Sequence, residues 1–417
     1  MKKIIFLSNT FYPEHGAAPN RLLHTALGLQ QAGYQIEVIT GIPHYPHGKF
    51  SKKYKNKFYQ KELYQGIQIH RFWLYPSHSD SLIERILTMF SLAFSVVLAI
   101  PFLFIKKVDY LFLQYPPVAM VFPTLILRKL NKAKLIVNVS DLWPLAIEEL
   151  GFTKQKSMAY WLMKKIEKLT YKKAALLLAQ SNEIKAYLET ANSQKKVILY
   201  RTGVDCNRFK PSSIEKKDSQ RIKVVYAGVL GVAHGMAQVC KNIQLPNSDT
   251  ELHIFGEGFE KKAIDAYLKR HYNKNIFLHE MLPQIKLVQQ LQSADIILIA
   301  QKARIYGTVP SKIYDAMAVG KPILFHGAGE GAEIIRQTGC GFISKPQDFS
   351  KLNEHLKLLV ESTFSFRERL GKKGRQAAEE NFNRKIYLKS LIKALNLLEL
   401  EKVKHTNRQS YAKNFFI

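Results

Sequence analysis

NRFKPSSIEKKDSQR, residues 207 to 221, is followed at once by the apolar run KVVYAG at 223 to 228. The first stretch carries a proline, two adjacent serines and mixed charges, with little to bury, which is the composition of a linker between domains. The second is a β-rich run of the kind found in strands covered on both faces. A chain that crosses a polar bridge and then starts a fresh buried strand is building a second core, so this junction decides the fold.

Upstream of it, short apolar runs alternate with helical stretches: KIIFLSN (3–9), QIEVITG (35–41), IQIHRFW (67–73), DYLFLQY (109–115), KLIVNVSD (134–141), ALLLAQS (175–181) and KVILYRTG (196–203). Downstream, the pattern repeats with ELHIFGEG (251–258), NIFLHEM (275–281), DIILIAQ (295–301), PILFHGAG (322–329) and GCGFIS (339–344). This alternation predicts an α/β protein of two tandem Rossmann-like domains, 1–206 and 222–380, each built on a parallel sheet. A C-terminal helix over 381–405 is expected to pack back towards the first domain. Ligands of open α/β sheets bind beyond the carboxyl ends of the strands, so the active site is expected in the interdomain cleft.

The totals agree with a two-domain globular chain of 417 residues, 47% hydrophobic and 23% charged. Sixty-two Lys and Arg against 33 Asp and Glu give a formal net charge of +29, a field that attracts nucleotides, nucleic acid or an acidic membrane surface. Residues 1–200 hold 27 basic and 12 acidic side chains, leaving 35 and 21 for the remainder. The excess is therefore spread, and no module of clustered basic and aromatic residues marks a nucleic-acid binder. Three scattered cysteines fit a reducing cytosol. MKKIIFLSNTFYP offers too short an apolar core for a signal peptide and is expected to form the first strand.

One segment stands apart. ILTMFSLAFSVVLAIPFLFI, 86–105, has no charge, and Lys106 and Lys107 follow it. Its length suits a bilayer span, a helix resting in a membrane surface, or a buried structural helix; a span would put the strands on either side of it on opposite faces of the membrane. Segment 155–173, QKSMAYWLMKKIEKLTYKK, joins Tyr160 and Trp161 to many lysines, as a membrane-surface helix would, or equally as a solvated basic face over an apolar core face.

Two stretches carry chemistry. The glycine-bearing turn GVLGVAHG, 228–235, follows a strand, where close backbone approach and exposed amides suit a phosphate, although a plain tight turn reads the same way. In GTVPSKIYDAMAVGKP, 307–322, Pro310 is expected to open a short helix that Gly320 and Pro322 close. Ser311, Lys312 and Asp315 then share one face, opposite Ile313, Ala316 and Met317. A lysine at that end opposes the helix dipole and suggests an anion shared by both, such as a diphosphate; Asp315 suits a vicinal diol such as ribose. The plain reading is an exposed helix with a weak i, i+3 pair. His44 and His47 in HYPHG lack a third metal ligand nearby.

The second half resembles the family 4 glycosyltransferases of the GT-B fold: PSKIYDAMAVGKP matches the end of their E-x7-E motif, with Asp315 at the second acidic position. HIFGEGFE (253–260), ADIILIAQK (294–302), SNEIKAYL (181–188) and YRTGVDCNRFKP (200–211) agree. In the first half, FYPEHGAAPNRLLHTALGLQQAGYQIEVIT resembles the family's glycine-loop opening, and QYPP with SDLWPLAIEELG resembles a bacterial surface-polysaccharide branch. The resemblance implies a retaining transferase that moves a hexosyl or N-acetylhexosaminyl group from a UDP- or GDP-sugar to a polyprenyl-linked glycan. The setting would be the inner face of the membrane during capsule, O-antigen or exopolysaccharide synthesis. It assigns Asp315 to the donor ribose, Lys312 and the 228–235 turn with Gly228, Gly231 and His234 to the diphosphate, and Gly256, Lys302 and Ser311 to the donor nucleotide-sugar site more broadly. His15, Gly16 and Tyr45 fall on the acceptor side, and Asp141 in the cleft as a catalytic candidate with Lys312.

Departures are equally specific. The first acid of E-x7-E falls on Gly307, and the Arg and Lys usual around the diphosphate turn fall on Val229 and His234. Lys312, Lys302 and His234 remain to neutralise the leaving group. No D-x-D occurs in the chain, so electrostatic catalysis without a metal is expected. A GT-B nucleotide-sugar epimerase is the alternative in the same fold.

Overall fold

The computed structural model describes residues 1–414 except 15, 45–47, 78–81, 104–106, 150, 152–156, 193, 213–220 and 272–274; the side chains of 82, 85 and 401–414 also lie outside the description. Most of the expected linker therefore falls outside the described residues.

Strands β1 (Lys3–Leu7), β2 (Gln35–Gly41), β3 (Tyr59–Tyr64), β4 (Ile67–Phe72), β5 (Tyr110–Tyr115), β6 (Lys134–Val139), β7 (Leu176–Ala179) and β8 (Val197–Leu199) form one sheet in the order β3-β4-β2-β1-β5-β6-β7-β8. Strands β9 (Ile222–Ala227), β10 (Thr250–Phe255), β11 (Ile276–His279), β12 (Ile296–Ala300), β13 (Ile323–His326) and β14 (Gly341–Ser344) form a second, β11-β10-β9-β12-β13-β14. Both orders reverse beside their first strand, which opens a crevice at the carboxyl ends of β1 and β5, and of β9 and β12.

The continuous apolar runs have the physical cause the sequence implied. Ile5 and Leu7 pack into one core and Ile4 and Phe6 into another on the opposite face. Val225 and Ile297 divide from Val224 and Ile296 in the same way in the second sheet. Each strand is thus apolar on both sides because helices cover both faces.

Two expectations need correction. The first sheet is not wholly parallel: β3 pairs antiparallel with β4, Tyr59 opposite Phe72 and Tyr64 opposite Ile67. YQKELY is an edge strand of alternating exposure, without the apolar run that marks a buried one. Its one local signal is the turn at Gln65 and Gly66, both at positive φ (48° and 79°), as a two-residue hairpin requires.

The apolar segment is a helix over Leu82–Ala99 with a short 3-10 turn at Ile100–Phe102. Among the described residues no helix is long and apolar enough to cross a membrane, and β4 and β5 on either side of it lie in one sheet. Leu92, Ala93 and Val96 are buried under it. Ile83, Phe90, Phe94 and Leu98 on its other side are exposed, beside exposed Phe122 and Leu130 of the Val121–Asn131 helix. The fully buried reading is thus half right: one face packs and the other does not.

The final helix, Arg384–Asn414, is longer than expected and sends Tyr387, Leu391, Leu395 and Leu398 into the core that holds Ile4 and Phe6 of the first sheet.

Candidate active site

The loops at the carboxyl ends of both sheets meet. Thr308, after β12, donates from Oγ1 to Asp141 Oδ1 at 3.0 Å, just after β6. The same loop reaches the first domain again: Tyr306 N donates to Glu149 Oε2 at 2.7 Å, Gly307 N to Glu183 Oε2 at 2.6 Å, Arg304 Nη2 to Glu183 Oε1 at 3.0 Å, and the Tyr306 hydroxyl to Glu183 O at 3.5 Å. Deeper in, Glu330 pairs with Arg201 and accepts from the backbone N–H groups of Asn182 and Glu183 at 3.0 Å each, capping a first-domain helix from the second domain.

Gly307 explains the missing acid in terms of this docking. Its φ is +85°, and a Cβ there would stand 2.6 Å from Ile184 Cγ1. A side chain has neither the backbone conformation nor the room, so the position that carries an acid in the family pattern is where this loop rests on the neighbouring helix.

Two cavities occupy the cleft. One of about 170 Å³ is lined by Ala17, Arg21, Asp141, Gly307, Thr308 and Ser311, among others. The second, of about 290 Å³, is lined by Arg21, Asp205, Gln284, Ser311, Asp315 and Arg384, among others. Ser311 and Arg21 belong to both.

The helix of the 307–322 stretch runs over Lys312–Ala318, later than expected: Pro310 and Ser311 form the preceding turn, with Ile313 N bonded to Pro310 O and Tyr314 N to Ser311 O. Ile313, Ala316 and Met317 are fully buried, as the periodicity implied. The expected single polar face is divided, however. Ser311 and Asp315 line the larger cavity, while Lys312 lines neither and turns to Tyr226, donating from Nζ to the phenol oxygen at 2.8 Å and lying 4.3 Å from the ring centroid.

This places Lys312 against the 228–235 turn. A Cβ on Gly228, at φ +142°, would meet Lys312 Cε at 2.2 Å. Gly228 therefore has a steric reason to be glycine, namely the lysine stem. Gly256 has another: its Cβ would fall 2.2 Å from Gly228 O, so it lets β10 end beneath the turn. Gly231 has no such constraint, since a Cβ there meets only Val229 Cγ1 at 3.7 Å. Lys302 is exposed and supports the turn through its own N–H to Ala233 O at 2.9 Å. Gly16 precedes the Ala17–Gln31 helix, and Ala17 lines both cavities. His15 and Tyr45 lie outside the described residues.

Electrostatics sharpen the picture. Burial lowers the Lys312 ammonium to about 7 against the opposing pull of Asp315, and burial raises Asp315 to about 7 against Arg384, Lys312 and Arg208. Lys312, first, and burial, second, hold His234 down at about 3. His234 is thus neutral near pH 7 and offers a hydrogen bond, not the second positive charge expected of it. Burial raises the Asp141 carboxyl, with Thr308, Arg21 and Ser140 opposing.

Sequence reasoning missed Arg21, Thr308, Glu183 and Arg384. None belongs to a motif with fixed spacing, and each matters only because the fold brings two distant segments together. Among the described residues no group of three His, Cys, Asp or Glu side chains is placed to hold a metal ion.

Comparison with known proteins fits this geometry. Residues 16–200 match the family model of the glycosyl transferase 4-like domain, and 207–377 that of glycosyl transferases group 1. Over 282 residues the chain is 23% identical to the probable glycosyltransferase WbjE of Pseudomonas aeruginosa, covering 64% of this chain and 69% of that one. Among solved structures it is similar to HepE of Anabaena in complex with UDP-glucose (TM-score 0.67, 15% identity, covering 95% and 100% of the two chains). It is also similar to WaaG, a glycosyltransferase involved in lipopolysaccharide biosynthesis (TM-score 0.67, 14% identity, covering 93% and 98%). With both halves matched in order and the cleft assembled from both, the chain belongs to the family 4 type of GT-B glycosyltransferases.

Proposed function

We propose that this glycosyltransferase moves a hexosyl or N-acetylhexosaminyl group, with retention, from a UDP- or GDP-sugar to a polyprenyl-linked glycan in the assembly of a bacterial capsule, O-antigen or exopolysaccharide. The observation that carries the reading is the pairing of Asp315, lining the larger cavity, with Lys312, packed on the Gly228 turn and bonded to the Tyr226 hydroxyl. In this reading Asp315 receives the ribose diol, the turn and Lys312 receive the diphosphate, and Lys312 stabilises the charge that grows on the leaving nucleotide. Interactions that strengthen as that charge develops raise turnover, not only affinity. The chain's own cations serve in place of a metal. Asp141 and the Thr308 hydroxyl face the smaller cavity, where the reacting sugar and the acceptor hydroxyl meet.

The acceptor's lipid gives the exposed apolar side of the Leu82–Ala99 helix a purpose. Phe90 and Phe122 lie 6.5 Å apart between ring centroids on adjacent helices. Elsewhere in the first domain the Met158–Lys173 helix exposes Trp161 and Leu162, with Lys165 Nζ 3.5 Å from the Trp161 ring centroid and Lys168, Lys172 and Lys173 in solvent. Apolar side chains flanked by lysines favour an anionic bilayer surface, each lysine contributing about 1 kcal/mol. The protein would then work at the cytoplasmic face of the inner membrane as a peripheral enzyme. Flotation with vesicles containing anionic lipid tests this: the protein should float at low salt and release at high salt, and absence of binding at low salt would refute it. Mass-neutral conversion of the donor without an acceptor would instead favour an epimerase.

A further inference from the structure

Arg21, in the Ala17–Gln31 helix, is 8% exposed. Neutral groups hold its guanidinium: Nη1 donates to Thr202 Oγ1 at 2.9 Å and Nη2 to Gln114 Oε1 at 3.1 Å. These partners belong to a closed ring. Thr202 Oγ1 donates to Gln180 Oε1 at 3.0 Å, Gln180 Nε2 to Asn138 Oδ1 at 2.7 Å, and Asn138 Nδ2 to Gln114 Oε1 at 2.7 Å, which returns to Arg21. The ring spans the carboxyl ends of β5 to β8 and fixes the orientation of every amide in it, because turning one would set N–H against N–H. Its sole charged member is the guanidinium.

Such a ring is costly as a scaffold, since apolar side chains would fill the same space without desolvating an arginine. Among the described residues, Arg21 Nε also has no hydrogen-bond partner. Among the described residues, Asp141 is the one carboxylate that bears on its charge. Arg21 lines both cavities of the cleft, whereas Lys312 and the Gly228 turn line neither. The cleft therefore holds a second positive centre, on the first domain, separate from the one assigned to the donor diphosphate.

We propose that Arg21 is a contact for a phosphate group of a substrate, and that the acceptor is the source its place on the first domain favours. The choice of acceptor rests on the glycosyl-transfer reading above; the phosphate contact does not.

The test uses the full chain with two probes. The first is whichever of UDP, GDP and ADP gives the largest thermal shift; the second is methyl phosphate, titrated by calorimetry into protein saturated with the first. In Arg21→Met, methyl phosphate affinity is expected to fall at least tenfold, while Arg21→Lys retains part of it. When that fall is seen, nucleotide affinity that stays within twofold in Arg21→Met identifies the acceptor as the source. A tenfold loss of nucleotide affinity identifies the donor instead, with the phosphate contact upheld and the acceptor assignment overturned. If methyl phosphate fails to bind wild-type protein, or binds all three proteins equally, and nucleotide affinity is the same in all three, the proposal is wrong. Should Arg21→Met not fold, Arg21→Lys decides: a loss of at least threefold for either probe supports the contact, and no change for both refutes it. Absence of any nucleotide binding to wild-type protein would count against the donor reading, and methyl phosphate would still test Arg21.

Discussion

The hydroxyl of Thr308 donates to the carboxylate of Asp141 across the cleft, joining the second domain to the first at 3.0 Å. Burial already raises the Asp141 carboxyl, and this bond opposes the rise. Thr308→Val removes the opposition. The acid limb of the kcat profile is expected to move to higher pH by about one to two units, since losing a hydrogen bond to a buried charged group costs roughly 1.5–3 kcal/mol. A profile recorded from pH 5 to 9 checks it. An unchanged acid limb would mean that Asp141 takes no part in the rate.

Gly228 and Lys312 compete for the same space, so Gly228→Ala is expected to displace the lysine stem. With φ +142° also unfavourable for alanine, the substitution should cost roughly 1–3 kcal/mol of stability and weaken nucleotide binding at least tenfold. Lys312→Ala removes the obstacle. The double variant should therefore melt above Gly228→Ala alone, and a thermal double-mutant cycle measures the coupling.

Donor binding should depend on pH in a defined direction. Lys312, lowered to about 7, must be protonated to attract a diphosphate, so affinity falls as pH rises above 7. Asp315, raised to about 7, must be ionised to accept two hydroxyl donors at once, so affinity falls as pH drops below 7. Calorimetry between pH 5 and 9 should give a maximum near neutrality. Lys312→Ala should flatten the alkaline limb only, and Asp315→Asn the acid limb only.

Restoring the family's acid should not help this chain. Gly307→Glu places a side chain against Ile184 at positive φ, and it should lift the 304–308 loop from the first domain. The expected result is a melting temperature lowered by the equivalent of roughly 1–3 kcal/mol, with lower turnover. Higher turnover with undiminished stability would show that the loop is free to take the other arrangement.

The two sheets were legible because buried parallel strands write themselves as continuous apolar runs, from KIIFLSN to GCGFIS. β3 was not, because an edge strand needs only alternation, and YQKELY carries it in polar residues. Asp315 could be found from local spacing on one helix. The division of its polar face could not, since Tyr226 draws Lys312 aside from a strand some ninety residues away. Gly307 read as a missing acid until Ile184 was seen beneath it. Arg21 left no signal at all: its meaning lies in Gln114, Asn138, Gln180 and Thr202, contributed by four separate strand ends.

The central claim is that Asp315 and Lys312 bind a nucleoside diphosphate, and thermal shift followed by calorimetry with UDP, GDP and ADP tests it most directly. Binding to the folded state raises the melting temperature in proportion to RT ln(1 + [L]/Kd). One of the three nucleotides should do so for wild-type protein, and Asp315→Ala should lose at least about 100-fold in affinity, the lower end of what two charge-assisted hydrogen bonds of roughly 1.5–3 kcal/mol each contribute, with its own melting temperature little changed. Equal affinity in wild type and Asp315→Ala, or no shift with any of the three at millimolar concentration, would contradict the account.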